Sequence, residues 1–302
     1  MKIVFMGTPD FAVASLDALV QANFDIVAVV TAPDKPAGRG QKLNESAVKK
    51  YAIEKSIPIL QPEKLKNPEF LEALKSYQAD LQVVVAFRML PEVVWNMPSK
   101  GTINLHGSLL PQYRGAAPIN HAIINGEKES GVTTFFLTHE IDTGDIILSD
   151  RTPIGDDETA GELHDKLMVI GANLLVKTVT AIAEGNVSEQ PQPKSDELKH
   201  APKIFKEDCK IDWNNSTIKI HNLIRGLSPY PTAFTLLNDK TLKIFKAEPE
   251  HTEPAIAAGG FLTDNKTYLK FATKDGFIKL LDIQFEGKKR MLIADFLRGM
   301  RL

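Results

Sequence analysis

The chain of 302 residues contains only one cysteine, Cys209. A single cysteine cannot form a disulfide within the chain, and it cannot build a thiolate cluster around a metal. The histidines outside one strand-end motif do not predict a metal site either, because they lack the short spacings of metal ligands. These residues are His121, His139, His164, His200, His221 and His251. We therefore expect neither a disulfide framework nor a metal cofactor.

Long apolar segments are also missing. No uninterrupted apolar run approaches the ~20 residues that a membrane-spanning helix needs, so we expect no membrane partner. The apolar segment at residues 1–7 lacks the small-residue cleavage site of a signal peptide and continues into a Gly-Thr-Pro turn. We interpret it as mature sequence and expect a cytoplasmic protein.

A strong charge excess of either sign is absent, because the formal net charge is −2. The charges are unevenly placed, however. Residues 1–206 carry 21 Lys and Arg against 26 Asp and Glu, whereas residues 207–302 carry 15 against 12. A mildly basic C-terminal part is compatible with a polyanionic partner, although so small an excess does not predict one by itself.

Strands and helices alternate through the first part of the chain. Continuous apolar runs typical of strands buried on both faces occur at 1–6, 26–30, 57–60 and 81–86. Apolar residues at helical spacing lie between them, near 10–20, 44–56 and 68–77, and again over 159–184. This alternation predicts an open α/β fold with a mostly parallel sheet. In such sheets, ligands bind at the carboxyl ends of the strands.

The composition changes after this region. Residues 190–196 (QPQPKSD) are rich in Pro and Gln and have no apolar period, which is typical of a linker. Short β-like segments separated by turns then follow at 233–237, 241–247, 260–262, 268–272 and 277–285. Five short strands predict a small C-terminal β-barrel, such as one of the oligonucleotide-binding type.

The most informative motif is the apolar run that ends in Asn104, His106 and Gly107. An amide and an imidazole can both donate hydrogen bonds to an oxygen that becomes negative during acyl transfer. A carboxylate beside the histidine would favour the charged ring and could help to move a proton. The turn at 140–145 offers Glu140, Asp142 and Asp145, and spacing alone does not choose among them. An ordinary structural role at a strand end is the alternative.

Three further segments are candidates for binding. Residues 7–9 (Gly-Thr-Pro) contain one glycine only, so they do not form a dinucleotide fingerprint. Residues 34–42 form a glycine-rich loop with three cations, which suits contact with a phosphate backbone but equally suits a solvated surface. Residues 87–91, with nearby apolar residues, could line a slot for a flat heterocycle.

Five motifs of this chain resemble the methionyl-tRNA formyltransferase family. They are MGTPDF at 6–11, SLLPQYRGAAPI at 108–119 directly after Asn104-Leu105-His106, DTGD at 142–145, residues 203–213 (Lys-Ile through Ile-Asp-Trp) and SPYP at 228–231. The resemblance covers essentially the whole chain. Residues 86–91 (AFRMLP) depart from the family, whose members commonly carry a glycine-containing segment one residue longer.

The resemblance implies a Rossmann-like formyltransferase domain over 1–189, a linker over 190–208, and an OB-like, tRNA-binding domain over 209–302. It implies that a formyl group passes from 10-formyltetrahydrofolate to the amino group of methionine on initiator tRNA. We expect the enzyme to act as a monomer. A formyltransferase acting on an amino sugar and a non-catalytic RNA-binding protein are the rival hypotheses.

Carried over residue by residue, the resemblance assigns catalysis to Asn104, His106 and Asp142, with the family's Asp-Thr-Gly falling on Asp142. Asn104 and His106 are expected to bind the oxyanion, while Asp142 keeps His106 charged and relays a proton. The predicted folate-binding residues are Phe87, Arg88, Met89, Leu90, Ser108, Leu109, Leu110 and Pro111. The predicted tRNA-binding residues are Lys35, Arg39 and Lys42.

Overall fold

The computed structural model describes residues 1–37, 42–194 and 197–299. The strands are β1 (Lys2–Gly7), β2 (Asp25–Val30), β3 (Lys35–Ala37), β4 (Lys42–Asn44), β5 (Ile59–Leu60), β6 (Leu81–Val85), β7 (Thr102–His106), β8 (Arg114–Gly115), β9 (Glu129–Phe136), β10 (Ile146–Pro153), β11 (His200–Ala201), β12 (Ala233–Leu237), β13 (Lys240–Glu250), β14 (Phe261–Thr263), β15 (Leu269–Ala272), β16 (Phe277–Phe285) and β17 (Met291–Leu292). The helices are α1 (Asp10–Gln21), α2 (Ala47–Glu54), α3 (Pro68–Ser76), α4 (Glu92–Trp95), α5 (Pro118–Ile124), α6 (Ala160–Glu184), α7 (Thr217–Gly226) and α8 (Ile293–Arg298).

The chain divides into two compact units. The first comprises Met1–Gly115, Gly131–Thr152 and His164–Lys199, and the second comprises Ala116–Ser130, Pro153–Leu163 and the chain from His200 onward. Each unit therefore collects segments that are distant in sequence.

A seven-stranded sheet forms the centre of the first unit, in the order β10-β9-β7-β6-β1-β2-β5. The pairs β2–β5, β1–β2, β1–β6 and β6–β7 are parallel, and β9 joins β7 in antiparallel orientation. Every residue of β6 is buried, as expected for a strand covered on both faces. The prediction of a mostly parallel α/β sheet is confirmed.

The helices around this sheet begin where their sequences indicate. The Ser46 hydroxyl accepts a hydrogen bond from the Lys49 amide at 3.0 Å and caps α2, and the Asn67 side chain caps α3. Gly7 ends β1 just before α1, where a Cβ would lie 2.6 Å from the Ala12 Cβ and 2.9 Å from the Val85 carbonyl. Glycine is required there because α1 approaches the sheet so closely.

Helix α6 is long and apolar enough to cross a membrane by length and composition, and 44% of its most apolar window is buried. The sequence nevertheless contains no uninterrupted apolar run long enough to span a membrane. The packing of α6 explains its composition. A Cβ at Gly171 would lie 2.9 Å from the Leu105 side chain, and the Thr178 hydroxyl lies 2.8 Å from that of Thr134. The helix thus packs directly on β7 and β9, as a core helix does.

The second unit contains an antiparallel sheet in the order β12-β13-β16-β15-β14, with β17 paired to β16. One face of this curled sheet covers a core in which Trp213 stacks on Phe271 at 4.7 Å between ring centroids. Helix α7 contributes Ile220 and Ile224 to that core, and α8 contributes Phe296. A curled antiparallel sheet agrees with the predicted small OB-like barrel.

The basic segment 34–42 differs from the open loop that the sequence predicts. Residues 35–37 and 42–44 pair as a two-stranded antiparallel hairpin, with Lys35 opposite Asn44 and Ala37 opposite Lys42. The hairpin was not predicted from the sequence, because its strands have only three residues each and show no alternation of apolar and polar residues.

Candidate active site

Asn104 and His106 lie on β7, at the carboxyl end of the parallel part of the sheet. Side chains two residues apart on a strand point to the same face, so the amide and the imidazole lie side by side. His106 is only 6% exposed, and Asn104 is half-buried. The Asn104 side chain has no hydrogen-bond partner among the residues that the structure describes. Its amide is therefore not used to hold the fold.

The hydrogen bond of the His106 ring defines which nitrogen faces the site. Nε2 lies 2.9 Å from the carbonyl oxygen of Tyr113, and Nδ1 lies 3.9 Å from Oδ2 of Asp142. A carbonyl oxygen can only accept, so Nε2 carries the hydrogen in that bond. Nδ1 can then donate a hydrogen bond only when the ring is a charged imidazolium. The Asp142 carboxylate lies on this Nδ1 side of the ring.

Asp142 is held in a turn by two specific features. Its φ of +56° lies in the left-handed region, which Asp adopts more readily than most residues. Its Oδ2 accepts a hydrogen bond from the Gly115 amide at 3.0 Å. Two residues later, a Cβ at Gly144 would lie 1.7 Å from the Phe136 carbonyl oxygen. The glycine of the Asp-Thr-Gly motif thus lets the turn lie directly against β9.

The structure places the two rival carboxylates differently. Glu140 is exposed to solvent, and its carbonyl accepts from Thr143 Oγ1 at 3.1 Å. Asp145 binds the fold through its main chain, since its carbonyl accepts from the Phe136 amide at 3.2 Å. Of the three candidate carboxylates, Asp142 is the one that forms an ion-pair contact with His106 in the described chain.

The Ser108–Pro111 segment is built into the fold. The Thr133 hydroxyl donates to the Ser108 carbonyl at 2.7 Å and accepts from the Leu110 amide at 3.2 Å. Ser108 itself is fully buried and donates to the Gln112 carbonyl at 2.6 Å. These bonds give the segment an evident structural role, beside the folate contact predicted for Ser108, Leu109, Leu110 and Pro111.

The four residues predicted at the end of β6 have different surroundings. Leu90 is buried in the core and Phe87 packs against it, whereas Met89 is 71% exposed. The Arg88 guanidinium donates to the carbonyls of Glu63, at 2.8 Å, and Pro62. Met89 is thus exposed on this loop, while Leu90 serves the core.

The loop 138–142 lies alongside α4, the helix that follows residues 87–91. The His139 ring meets Trp95 edge-on at 5.4 Å, and its Nε2 lies 3.6 Å from the Glu92 carboxylate. Val93 and Ile141, on these two neighbouring segments, are 49% and 59% exposed. Each of these two segments thus exposes an apolar side chain.

Of the predicted tRNA-binding residues, Lys35 is exposed at the base of the hairpin. Lys42 lies on β4, with its main chain opposite Ala37, and Arg39 lies outside the described residues. At the base, the Asp34 carboxylate binds the Lys49 ammonium and accepts from the Gln61 amide at 2.8 Å. These partners hold the pKa of Asp34 below its usual value, so the carboxylate stays charged.

No role was predicted from the sequence for Gln192, which contacts the Asp142 turn, or for Arg114, which binds Gln192. The Gln192 side chain bonds to the main chain of the turn and to Arg114. Arg114 lies within the motif at 108–119, which was its one visible signal, and Gln192 lies in the segment assigned as a linker. In the described parts of the chain, no cluster of three or more His, Cys, Asp or Glu could hold a metal ion.

Solved structures with the same fold include an N-formyltransferase and HypX. An N-formyltransferase from Helicobacter canadensis, in complex with folinic acid and dTDP-3-aminofucose, matches with a TM-score of 0.70 and 24% identity over 93% of this chain and 98% of that one. HypX from Aquifex aeolicus, in complex with tetrahydrofolic acid, matches with a TM-score of 0.67 and 19% identity over 98% of this chain and 47% of that one. At these identities the similarity shows the fold alone.

Sequence comparison is more specific. The formyl transferase family matches residues 1–179, and the formyl transferase C-terminal domain matches residues 203–301. A methionyl-tRNA formyltransferase from Bacteroides fragilis is 54% identical over 100% of this chain and 96% of the relative. One from Azobacteroides pseudotrichonymphae is 56% identical over 99% and 95%, respectively. The chain therefore belongs to the methionyl-tRNA formyltransferase family.

Proposed function

We propose that this protein transfers the formyl group of 10-formyltetrahydrofolate to the amino group of methionine on initiator tRNA. The observation that carries the proposal is the grouping of Asn104, His106 and Asp142 at one strand end, in a chain that aligns end to end with methionyl-tRNA formyltransferases. The first unit contains this group. We assign residues 1–189 to catalysis, 190–208 to a linker and 209–302 to tRNA binding.

The surroundings of Asp142 suit a folate. A pterin is flat and largely apolar on its faces, with polar edges, and the segments beside Asp142 expose Met89, Val93 and Ile141. Binding sites for such molecules combine apolar walls with a few polar groups. We assign the folate pocket to residues 87–90 and the neighbouring 108–111. When bound, 10-formyltetrahydrofolate supplies the formyl group.

Asn104 and His106 act on the formyl oxygen. When the methionine amine attacks the formyl carbon, negative charge grows on that oxygen, and a donor already in place stabilises it by about 3 kcal/mol. The Asn104 amide can donate because no described residue occupies it. His106 donates through Nδ1 as an imidazolium, because Nε2 is bound to the Tyr113 carbonyl.

Asp142 takes part in the transfer of the proton that the methionine amine loses. Its carboxylate lies 3.9 Å from Nδ1 and favours the charged ring. The amine nitrogen loses one proton as the new C–N bond forms, and the folate nitrogen gains one as its C–N bond breaks. Asp142 is the base that accepts the first proton, directly or through water, and it returns that proton to the folate nitrogen. The carboxylate is 13% exposed at its side chain, which leaves room for such a transfer.

A turnover assay tests the proposed function directly. We expect formylated Met-tRNA from 10-formyltetrahydrofolate and charged initiator tRNA, and no comparable product from nucleotide-linked amino sugars. Formylation of the sugar but not of the tRNA would replace this proposal with the sugar enzyme. Binding of tRNA with no folate-dependent product would instead support a non-catalytic RNA-binding protein.

Charge reversal at Lys35 tests the tRNA contact. Lys35→Glu should raise the KM for initiator tRNA about tenfold, because an exposed cation that meets a phosphate is replaced by an anion. The KM for 10-formyltetrahydrofolate should stay unchanged, and the difference should shrink as salt concentration increases. Lys177→Glu, at an exposed position on α6, is the matched control. Equal effects of the two variants on the KM for tRNA would remove Lys35 from the interface.

We further propose that the enzyme works as a monomer in the cytoplasm, where charged tRNA and reduced folate are both present. Light scattering on a gel-filtration column, run at assay concentrations, should give a mass close to 33.4 kDa. A mass near twice that value would reject the monomer.

A further inference from the structure

Gln192 uses all the hydrogen-bonding capacity of its amide within the first unit. Nε2 donates to the Asp142 carbonyl at 2.8 Å and to the Gly144 carbonyl at 2.9 Å. Oε1 accepts from Arg114 Nε at 3.1 Å and from Arg114 Nη2 at 2.6 Å. Both neighbouring prolines are exposed, whereas Gln192 is half-buried. Among the described residues 190–194 of this Pro- and Gln-rich stretch, Gln192 is thus the side chain directed into the fold.

Gln192 and the chain next to Arg114 together restrain Asp142. Arg114 is followed by Gly115, whose amide binds the Asp142 carboxylate at 3.0 Å. Gln192 therefore binds the carbonyl of Asp142, and Gly115 binds its carboxylate. Gly115 directly follows Arg114, which is itself bound to Gln192. A glutamine amide suits this position because it offers two donors to the two carbonyls and an acceptor to the guanidinium.

We propose that Gln192 is a positioning residue that fixes the Asp142 turn so that its carboxylate faces His106. This inference rests on the proposed function, because it concerns how Asp142 acts in formyl transfer. The separation of 3.9 Å between Oδ2 and Nδ1 exceeds hydrogen-bond length, so nothing in that contact itself holds the carboxylate in place. The clamp from Gln192 and Gly115 supplies the restraint.

Gln192→Glu tests the clamp with the smallest change in shape. Glutamate keeps an acceptor for Arg114 but cannot donate to the two carbonyls. We expect kcat to fall about 10- to 100-fold, because small misplacements of a catalytic group cost that much. The KM for initiator tRNA should change by less than about threefold. Gln190→Ala is the matched control, because Gln190 is exposed and pairs with Ile146 through its main chain only.

A double-mutant cycle separates positioning from general destabilisation. In an Asp142→Asn background the two carbonyls remain, but there is no carboxylate left to position. Gln192→Glu should then lower kcat by less than about threefold further. An undiminished loss in that background would overturn the proposal, and so would a Gln192→Glu enzyme with the wild-type kcat.

Hydrogen exchange gives a readout that does not depend on activity. Amides in residues 138–145 should exchange faster in Gln192→Glu than in Gln190→Ala, while β1 and β6 should be unchanged. Equal exchange of 138–145 in the two variants would overturn the clamp. If the wild-type protein formed no product, the proposed function would fail, and this exchange experiment would still decide whether Gln192 holds the turn.

Discussion

Replacing Asn104 by alanine should lower kcat for formyl transfer by about 10² to 10³-fold, the usual cost of removing one oxyanion donor. The free energy of unfolding should remain nearly unchanged, because the Asn104 amide has no hydrogen-bond partner among the described residues. A side chain that is half-buried, polar and unused by the fold is available for a substrate. Steady-state kinetics and thermal melting, run on the same preparation, measure the two quantities.

His106→Ala and Asp142→Ala should reduce kcat at least as much, but with some loss of stability. His106 binds the Tyr113 carbonyl and Asp142 binds the Gly115 amide, so each truncation leaves a main-chain group without its partner. Such a group costs about 1–3 kcal/mol when it stays buried. The effects of the two variants on kcat should not add, because Asp142 and His106 act as a unit in the same step.

Asn186→Ala is the control for these variants, since Asn186 is exposed and its side chain bonds only to Glu184 within the described chain. A near-normal kcat in Asn104→Ala would remove Asn104 from the oxyanion site. A loss of activity accompanied by unfolding would assign Asn104 a structural role at the strand end. Wild-type activity in His106→Ala would reject the mechanism as a whole.

Strand-based features were predicted well from the sequence. The apolar runs of β2 and β6 indicated buried parallel strands, and a further apolar run placed Asn104 and His106 at a strand end. Because ligands bind at the carboxyl ends of parallel strands, the position of the site followed from the fold class. The strands β12 and β16 also occupy the predicted positions, since turn residues bound them closely.

Contacts between distant segments could not be predicted in this way. Spacing left Glu140, Asp142 and Asp145 equivalent, because the choice depends on a turn with a left-handed Asp142 and a carboxylate bound to the Gly115 amide. The bonds of Gln192 span 48 to 78 residues, and no local period records them. The Pro- and Gln-rich composition predicted a linker, but it carried no information about this side chain.

Gly144→Ala should both destabilise the first unit and reduce formyl transfer by at least about 100-fold. The added Cβ would lie 1.7 Å from the Phe136 carbonyl oxygen and 2.9 Å from the carbonyl carbon. Neither neighbour is a flexible side-chain end, so the turn or β9 has to move. Forcing a methyl group into such a space costs about 3 kcal/mol or more, and a shift of about 1 Å in the turn is enough for the predicted loss of rate.

Gly155→Ala provides the matched control, because the atom nearest to its added Cβ would be 3.5 Å away, an ordinary van der Waals contact. Denaturant unfolding and steady-state kinetics should place this control near the wild type. A Gly144→Ala protein with wild-type stability and kcat would show that the turn tolerates displacement, and the dependence of catalysis on Asp142 geometry would then be wrong. If Gly144→Ala folds but is inactive, and Asp142→Asn in that background causes little further loss, the displaced carboxylate accounts for the defect. The glycine of the Asp-Thr-Gly motif would then serve catalysis by letting the turn lie against β9, where the Asp142 carboxylate faces His106.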